Sequence, residues 1–211
     1  MVSKQKSRMP ASRVAGIAAA VAVMGIVGAT AVADDGAQQW TIDGDRSSIE
    51  FVSDAPMERI VGTSEQLEGA VYFDADNVSQ TRGEIRFPVD SMRTGNSTRD
   101  RHLTQESWLH ADEYPEITFQ IEGLEDVETA RSENRIDYRG TATGTVEVRG
   151  VEQDSEATVE FAVLPERGVA RIQPEFQLRL ADHDVEGADN NIGNEVGEVI
   201  DIKGLIYANA E

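Results

Sequence analysis

Apolar and polar residues alternate with a period of two along most of the chain after residue 40. The alternation is clearest in residues 85–89, 117–121, 146–148, 159–163, 176–180 and 200–206, and weaker in residues 40–42, 49–51 and 71–73. Because successive side chains of a β-strand point to opposite faces, this pattern predicts about eight or nine strands with one apolar and one charged face. A parallel α/β sheet needs strands that are apolar on both faces, so that class is excluded. The predicted fold is all-β, a sandwich or a barrel.

One segment between the alternating stretches is different. Residues 97–109 are polar, and Ser97 stands three residues before Asp100. This is the spacing of a capping box, in which the serine accepts from amides of the first helical turn while the acid bonds back. We therefore expect one short inserted helix of about two turns that ends before Pro115.

The chain is strongly acidic, with 39 Asp and Glu against 19 Lys and Arg, and it has no cysteine. The net charge of −20 argues against a protein that coats nucleic acid or that docks through a basic patch on an anionic membrane. The absence of cysteine excludes disulfides, thiolate nucleophiles and cysteine-ligated metals. A self-repelling acidic surface is less costly in salt, so the composition also predicts a saline habitat.

The first 33 residues carry four basic residues and no acid, and they include a weakly hydrophobic run over residues 14–27 and the sequence Ala31-Val32-Ala33. That order is typical of a secretory signal peptide. The alternative is an uncleaved membrane anchor, because the run approaches the length that spans a bilayer. We expect cleavage after Ala33, a single domain over residues 34–211 with a net charge of −24, and a periplasmic or secreted protein without a stable membrane anchor.

Neither catalysis nor a tight metal site is indicated. The three histidines, His102, His110 and His183, form no metal-ligand motif, and no nucleophile motif is present. Residues 182–187 match the first half of a calcium-binding EF-hand loop, but Gly193 stands where the bidentate glutamate belongs. We expect no catalytic residues, no metal and no enzymatic activity, while a looser calcium site in residues 182–198 stays open.

Residues 94–119 resemble the signature of the YceI-like family. The family's usual pattern is an aromatic pair followed by Asp, then Tyr-Pro and an Ile-Thr-Phe strand; here Trp108-Leu109 replaces the pair. Residues 40–43, 143–151 and 196–202 resemble its opening strand, a strand-and-turn segment and its closing strand, so that the match extends from residue 40 to 208. The matching residues of the central segment are Thr94, Gly95, Arg99, Asp100, His102, Leu103, Trp108, Leu109, Ala111, Asp112, Tyr114, Pro115, Ile117, Thr118 and Phe119.

The resemblance implies an eight-stranded antiparallel lipocalin-like barrel, exported in bacteria, that holds an isoprenoid such as a polyprenyl quinone or phenol, or a similar amphiphilic lipid. No other cofactor is implied, and the protein would be a monomer or a homodimer. The expected lining residues are Phe51, Val71, Phe73, Ile85, Phe87, Leu103, Trp108, Ile117, Phe119, Ile121, Val146, Val148, Phe161, Phe176, Leu178, Ile200 and Ile202.

Two alternatives stay open at this point. Arg99, Asp100 and His102 could contact a lipid head group, although helix capping and a local ion pair explain the same residues. The inward apolar side chains could line a tunnel, or they could fill the core of a surface or calcium-dependent interaction module. Small barrels usually fill themselves with side chains, so the residues alone favour a filled core, and only the family resemblance favours a tunnel.

Overall fold

The computed structural model describes residues 36–188 and 191–211. The proposed signal segment, residues 1–33, and the acidic-loop residues 189 and 190 lie outside the described residues. Ten β-strands and one α-helix are present in the described part of the chain. They are β1 (Gln38–Ile42), β2 (Ser48–Asp54), β3 (Arg59–Ser64), β4 (Glu68–Phe73), β5 (Arg82–Pro88), α1 (Ser97–Leu103), β6 (Glu116–Arg131), β7 (Ile136–Val148), β8 (Val151–Leu164), β9 (Val169–Arg179) and β10 (Val199–Ala210).

The strands form a closed antiparallel barrel. Strands β4 to β10 pair in chain order, and β1 pairs with both β4 and β10, which closes the ring. Strand β10 is long enough to pair with β1 at its end and with β2 at its beginning, so β1 and β2 share one barrel position. β3 and β4 share another in the same way, since β3 pairs with β2 and β4 with β1. The all-β prediction and the eight-stranded barrel are therefore confirmed, with two of the eight positions occupied by interrupted strands.

The interruption between β1 and β2 is held by a buried serine. Ser47 Oγ donates to the carbonyl of Asp43 at 2.7 Å and accepts from the amide of Tyr207 on β10 at 2.9 Å. The amide of Asp43 donates to the carbonyl of Tyr207 at 2.8 Å. These bonds replace the ladder where the strand breaks, because buried backbone groups need partners.

The two ends of the barrel differ. One end, here called the mouth, carries the turn over residues 55–58, α1 with its flanking loops, the turn at 149–150 and the loop over 180–198. The opposite end, here called the closed end, carries the short connections after β4, β6 and β8. One of these is the turn over residues 165–168, where Gly168 adopts a φ of +59°.

Three aromatic rings fill the closed end. The rings of Tyr138 and Phe161 stack with their centroids 4.5 Å apart, and Phe73 meets both rings edge-on at 5.3 and 5.4 Å. All three side chains are buried. Edge-to-face and offset-stacked rings are favourable beyond the area that they bury, so this aromatic plug seals the barrel.

The helix prediction is confirmed in place and length, but its predicted cap is wrong. Asn96, not Ser97, caps α1: its side-chain oxygen accepts from the amides of Thr98 and Arg99 at 3.0 and 3.3 Å. Asn96 has the extended backbone that a cap requires, whereas Ser97 is already the first helical residue. The carboxylate of Asp100 reaches past the cap and accepts from the amide and the hydroxyl of Thr94 at 2.8 and 2.6 Å.

No helix within the described residues is long and apolar enough to cross a membrane.

Candidate ligand-binding site

A cavity of about 440 Å³ lies inside the barrel on its mouth side. Apolar side chains from every strand except β1 and β4 form its wall, together with residues of α1 and of the loops at the mouth. The filled core that the residues alone favoured is therefore wrong. Which residues lie opposite one another across the lumen depends on strand register, and the sequence does not contain that information.

Small residues in the middle of the barrel make room for the cavity. Ala142 on β7 pairs with Ala157 on β8, and both line the lumen and are buried. Larger side chains occur at both ends of these strands, with Val146 and Val148 near the mouth and Phe161 at the closed end. Because barrel interiors close by interdigitating side chains, a neighbouring pair of small residues at mid-height leaves space in the lumen.

A glycine allows one wall aromatic to lie flat against the sheet. Phe51 on β2 pairs with Gly62 on β3, and its ring covers the glycine. A Cβ atom at residue 62 would lie 2.1 Å from Cζ of Phe51, so any larger residue would push the ring into the cavity. Glycine inside a strand often marks such a close approach.

The structure places most of the expected lining residues on this wall, namely Phe51, Ile85, Phe87, Leu103, Trp108, Ile117, Phe119, Ile121, Val146, Val148, Phe176, Leu178, Ile200 and Ile202. Val71, Phe73 and Phe161 do not reach it. They lie towards the closed end, where they border a second cavity of about 60 Å³. Their inward parity is as expected, but their depth along the barrel puts Phe73 and Phe161 in the aromatic plug and Val71 beside the second cavity.

Several lining residues were not anticipated. Ile49, Ile60 and Ile206 have inward parity on their strands, so the period-two signal could have found them. Met92 and Val185 lie in irregular segments, where no periodicity marks a residue as inward-facing.

Polar lining side chains are concentrated at the mouth. Arg99 and His102 of the expected head-group contacts border the cavity, whereas Asp100 does not and instead holds Thr94. The Arg99 guanidinium donates to Thr94 Oγ1 at 3.0 Å and to the Glu58 carboxylate at 2.7 Å. The pair joins α1 to the β2–β3 turn across the rim. The polar lining residues at the mouth are Glu58, Thr94, Asn96, Thr98, Arg99, His102, Asn191 and Glu195.

The rim loops are tied to the barrel by backbone-directed contacts. The Arg149 guanidinium, in the β7–β8 turn, donates to the carbonyls of Asp184 and Glu106, the latter at 3.0 Å. The buried His183 lies 2.9 Å from the carbonyl of Val151 through Nδ1, and this nitrogen donates because a carbonyl only accepts. These contacts hold the segment from Leu180 to Val185, both of which line the cavity.

The acidic and histidine side chains are dispersed. Within residues 36–188 and 191–211, no group of three or more Asp, Glu, His or Cys side chains is arranged to hold a metal ion. His102 lies at the mouth, His183 bonds to the backbone, and His110 lies 3.5 Å from Glu113. What the arrangement offers chemically is an apolar enclosure with a polar rim.

Solved structures share this fold. BcnA of Burkholderia cenocepacia is 18% identical with a TM-score of 0.63, and the match covers 80% of this chain and 99% of that chain. A polyisoprenoid binding domain from Saccharophagus degradans, implicated in plant cell wall breakdown, is 14% identical with a TM-score of 0.60, covering 82% of this chain and 98% of that one. The YCEI protein of Campylobacter jejuni is 20% identical with a TM-score of 0.57, covering 75% and 88%.

Sequence comparisons point the same way. A UPF0312 protein of Staphylococcus aureus is 26% identical over 123 residues, which are 58% of this chain. The chain spans 64% of the length of this relative. The family model of the YceI-like domain matches residues 40–206, which include every strand from β2 to β9 and most of β1 and β10. The chain therefore belongs to the YceI-like family.

Proposed function

We propose that this protein is an exported carrier that holds the apolar tail of an amphiphilic lipid in the barrel, with the lipid's polar head at the mouth. The ligand class is an isoprenoid such as a polyprenyl quinone or phenol. The observation that carries the proposal is that apolar and charged lining side chains are separated along the cavity. Its deep wall is apolar, and charged side chains approach it only at the rim.

The energetics of the enclosure support this ligand class. An apolar tail needs no directed partner, and each buried methylene contributes roughly 0.8 kcal/mol. A polar head buried at mid-barrel would lose its hydrogen bonds to water without replacement, which costs about 1–3 kcal/mol or more. The tail-in orientation is therefore favoured.

The rim supplies groups suited to a polar head. The side chain of Arg99 is 25% exposed, and its bonds through Nε to Thr94 and through Nη1 to Glu58 leave Nη2 able to donate to an oxygen of a ligand. His102 is more exposed on the same helix and also borders the cavity. We assign both residues to head-group contact, and we assign Asp100 to holding Thr94 in place.

The similarity to a polyisoprenoid binding domain supports the isoprenoid assignment, since that protein has the same fold. The proposal is one of binding without catalysis, which fits a deep wall of apolar side chains with charged groups only at the rim. The proposal of export to the periplasm or the medium relies on the signal-peptide pattern of residues 1–33.

Lipid mass spectrometry tests the proposal directly. The mature protein is purified from its host without detergent, extracted with organic solvent and compared with a mock purification. We expect a stoichiometric isoprenoid or similar single-chain lipid. Recovery of no apolar ligand from the host, together with failure of the purified protein to take up ubiquinone or farnesol, would overturn it. A large rise in melting temperature with Ca²⁺ would instead favour a calcium-dependent interaction module.

A further inference from the structure

Two cavities lie in line inside the barrel and share part of their walls. The larger, of about 440 Å³, is on the mouth side, and the smaller, of about 60 Å³, lies next to the aromatic plug. One residue from each of the five consecutive strands β5 to β9 borders both cavities. These residues, here called the floor, are Ile85, Ile121, Ala142, Val159 and Ile172.

The floor consists of side chains alone. The barrel backbone forms the wall, so that nothing but side-chain atoms separates the two cavities at this level. Ile121 and Val159 are buried and belong to the core cluster that also contains Phe73, Tyr138 and Phe161. A partition of this kind changes with single substitutions, whereas a partition of backbone would not.

We infer that the floor sets the length of the chain that the barrel holds, so that the site selects among isoprenoids or similar lipids by length. This inference rests on the proposed function and deepens it. A chain that enters from the mouth meets the floor before it reaches the aromatic plug. A longer chain must leave its remainder in water at the mouth or force the floor side chains apart.

The depth above the floor can be estimated from β7. Val148 at the mouth and Ala142 at the floor are six residues apart. At a rise of about 3.3 Å per residue and a strand tilt of about 40°, this corresponds to roughly 15 Å along the barrel axis. The site therefore accommodates a short prenyl chain in full and a long one only in part.

The test is a competition among prenols of different length. Purified protein is incubated with an equimolar mixture of farnesol, geranylgeraniol and solanesol and separated from free lipid, and the bound lipids are quantified by mass spectrometry. The variant Ile121→Ala opens the floor towards the second cavity. The matched control is Ile117→Ala, the same change on the same strand at a lining position that does not border the second cavity.

We expect Ile121→Ala to raise the ratio of bound geranylgeraniol to farnesol by at least about tenfold, because each extra buried methylene changes affinity by roughly fourfold. Ile117→Ala should leave the ratio within about twofold. In the opposite direction, Ala142→Leu thickens the floor and should lower the ratio. Melting temperatures confirm that each variant is folded.

The possible failures are distinguishable. If wild type and folded Ile121→Ala bind prenols with the same length distribution, the floor does not set length and this inference is overturned, while the proposed function stands. If Ile117→Ala shifts the ratio as much as Ile121→Ala, general enlargement of the lumen explains selection and the inference is equally overturned. If wild type binds no prenol and no ubiquinone, the proposed function fails and the inference with it.

Discussion

The ring of Tyr138 stacks on the ring of Phe161 at a centroid distance of 4.5 Å and an interplanar angle of 10°. The two residues lie on β7 and β8, one directly opposite the other in the strand register. Together with the ring of Phe73, this stack closes one end of the barrel, which would otherwise be an open tube. The stack therefore contributes to stability and closes the barrel beyond the floor.

Removal of one member of the plug should cost much of the stability. We expect Phe161→Ala to lower the free energy of unfolding by about 3–5 kcal/mol, because a large buried side chain is lost and a cavity remains. Chemical denaturation measures the change. Met57→Ala, at a side chain that is 78% exposed, is the control and should change stability by less than about 0.5 kcal/mol. A cost below about 1 kcal/mol for Phe161→Ala would show that the plug does not hold the closed end.

The same stack gives a pH dependence. Burial raises the pKa of Tyr138 above its ordinary value of 10.0, with a smaller raising effect from Asp76 and an opposing effect from Arg131. A raised folded-state pKa means that the neutral phenol stabilises the fold fully below pH 10, and that this contribution is lost as pH rises through the folded-state value. Tyr138→Phe, which keeps the ring, should therefore gain melting temperature relative to wild type between pH 9 and pH 11. An unchanged difference across that range would contradict the assignment.

The cap of α1 can be tested by two neighbouring substitutions. Asn96→Ala removes the side-chain oxygen that accepts from two amides, and we expect a loss of roughly 1 kcal/mol in the free energy of unfolding. Ser97→Ala, at an exposed helical position, should be within about 0.5 kcal/mol of wild type. The reverse order of the two effects, measured in denaturant, would restore the capping box that the sequence suggested.

We expect Arg99 to contribute more to ligand affinity than to the stability of the fold. Its ion pair with Glu58 is partly exposed, and such pairs contribute about 0–1 kcal/mol to stability. We expect Arg99→Gln to reduce the affinity for ubiquinone several-fold at nearly constant melting temperature, as measured by fluorescence quenching. Arg101→Gln, on the same helix but away from the cavity wall, is the control. Equal effects of the two variants would indicate a general charge effect and not a contact at the rim.

The acidic surface predicts a response to salt. The mature chain would carry a net charge of −24, and exposed like charges repel less when the Debye length falls from about 10 Å at 0.1 M to about 3 Å at 1 M. We expect the melting temperature to rise by several degrees between 0.05 M and 1 M NaCl. Potassium chloride should act alike, because screening does not depend on the cation. A flat response would refute the prediction of a saline habitat.

Much of the barrel could be predicted from local pattern. The alternation around Ile85, Ile117 and Phe176 predicted strands at these positions, because alternation is a property of neighbouring residues. Which face of each strand turns towards the lumen was left open by the sequence, and the structure turns the apolar faces inward. Pairing across the break between β1 and β2 could not be predicted, since it depends on Ser47 reaching Tyr207 on a strand 160 residues away. The contribution of Met92 and Val185 to the cavity wall could not be predicted either, because both residues lie in irregular loops at the mouth.

The residues of the candidate site could likewise be predicted only in part. Arg99 and His102, the possible head-group contacts, border the cavity, whereas Val71, Phe73 and Phe161 of the expected lining lie towards the closed end. All of these apolar residues alternate alike, and nothing local distinguishes one that lines a lumen from one that plugs it. The predicted helix cap was wrong for a related reason. Asn96 and Ser97 are both residue types that cap helices well, and the backbone conformation at the start of α1 makes Asn96 the cap.

By itself, the sequence determined an all-β chain with one charged and one apolar face on each strand, one short helix and a surface that repels itself without salt. Only the tertiary structure decided that the apolar faces enclose a cavity, because a lumen exists where small residues from different strands, Ala142 and Ala157, lie opposite each other. The same register stacked Tyr138 on Phe161 and aligned the floor. Local periodicity sets the direction of a side chain, whereas its partner across the barrel is set by strand pairing over long sequence distances.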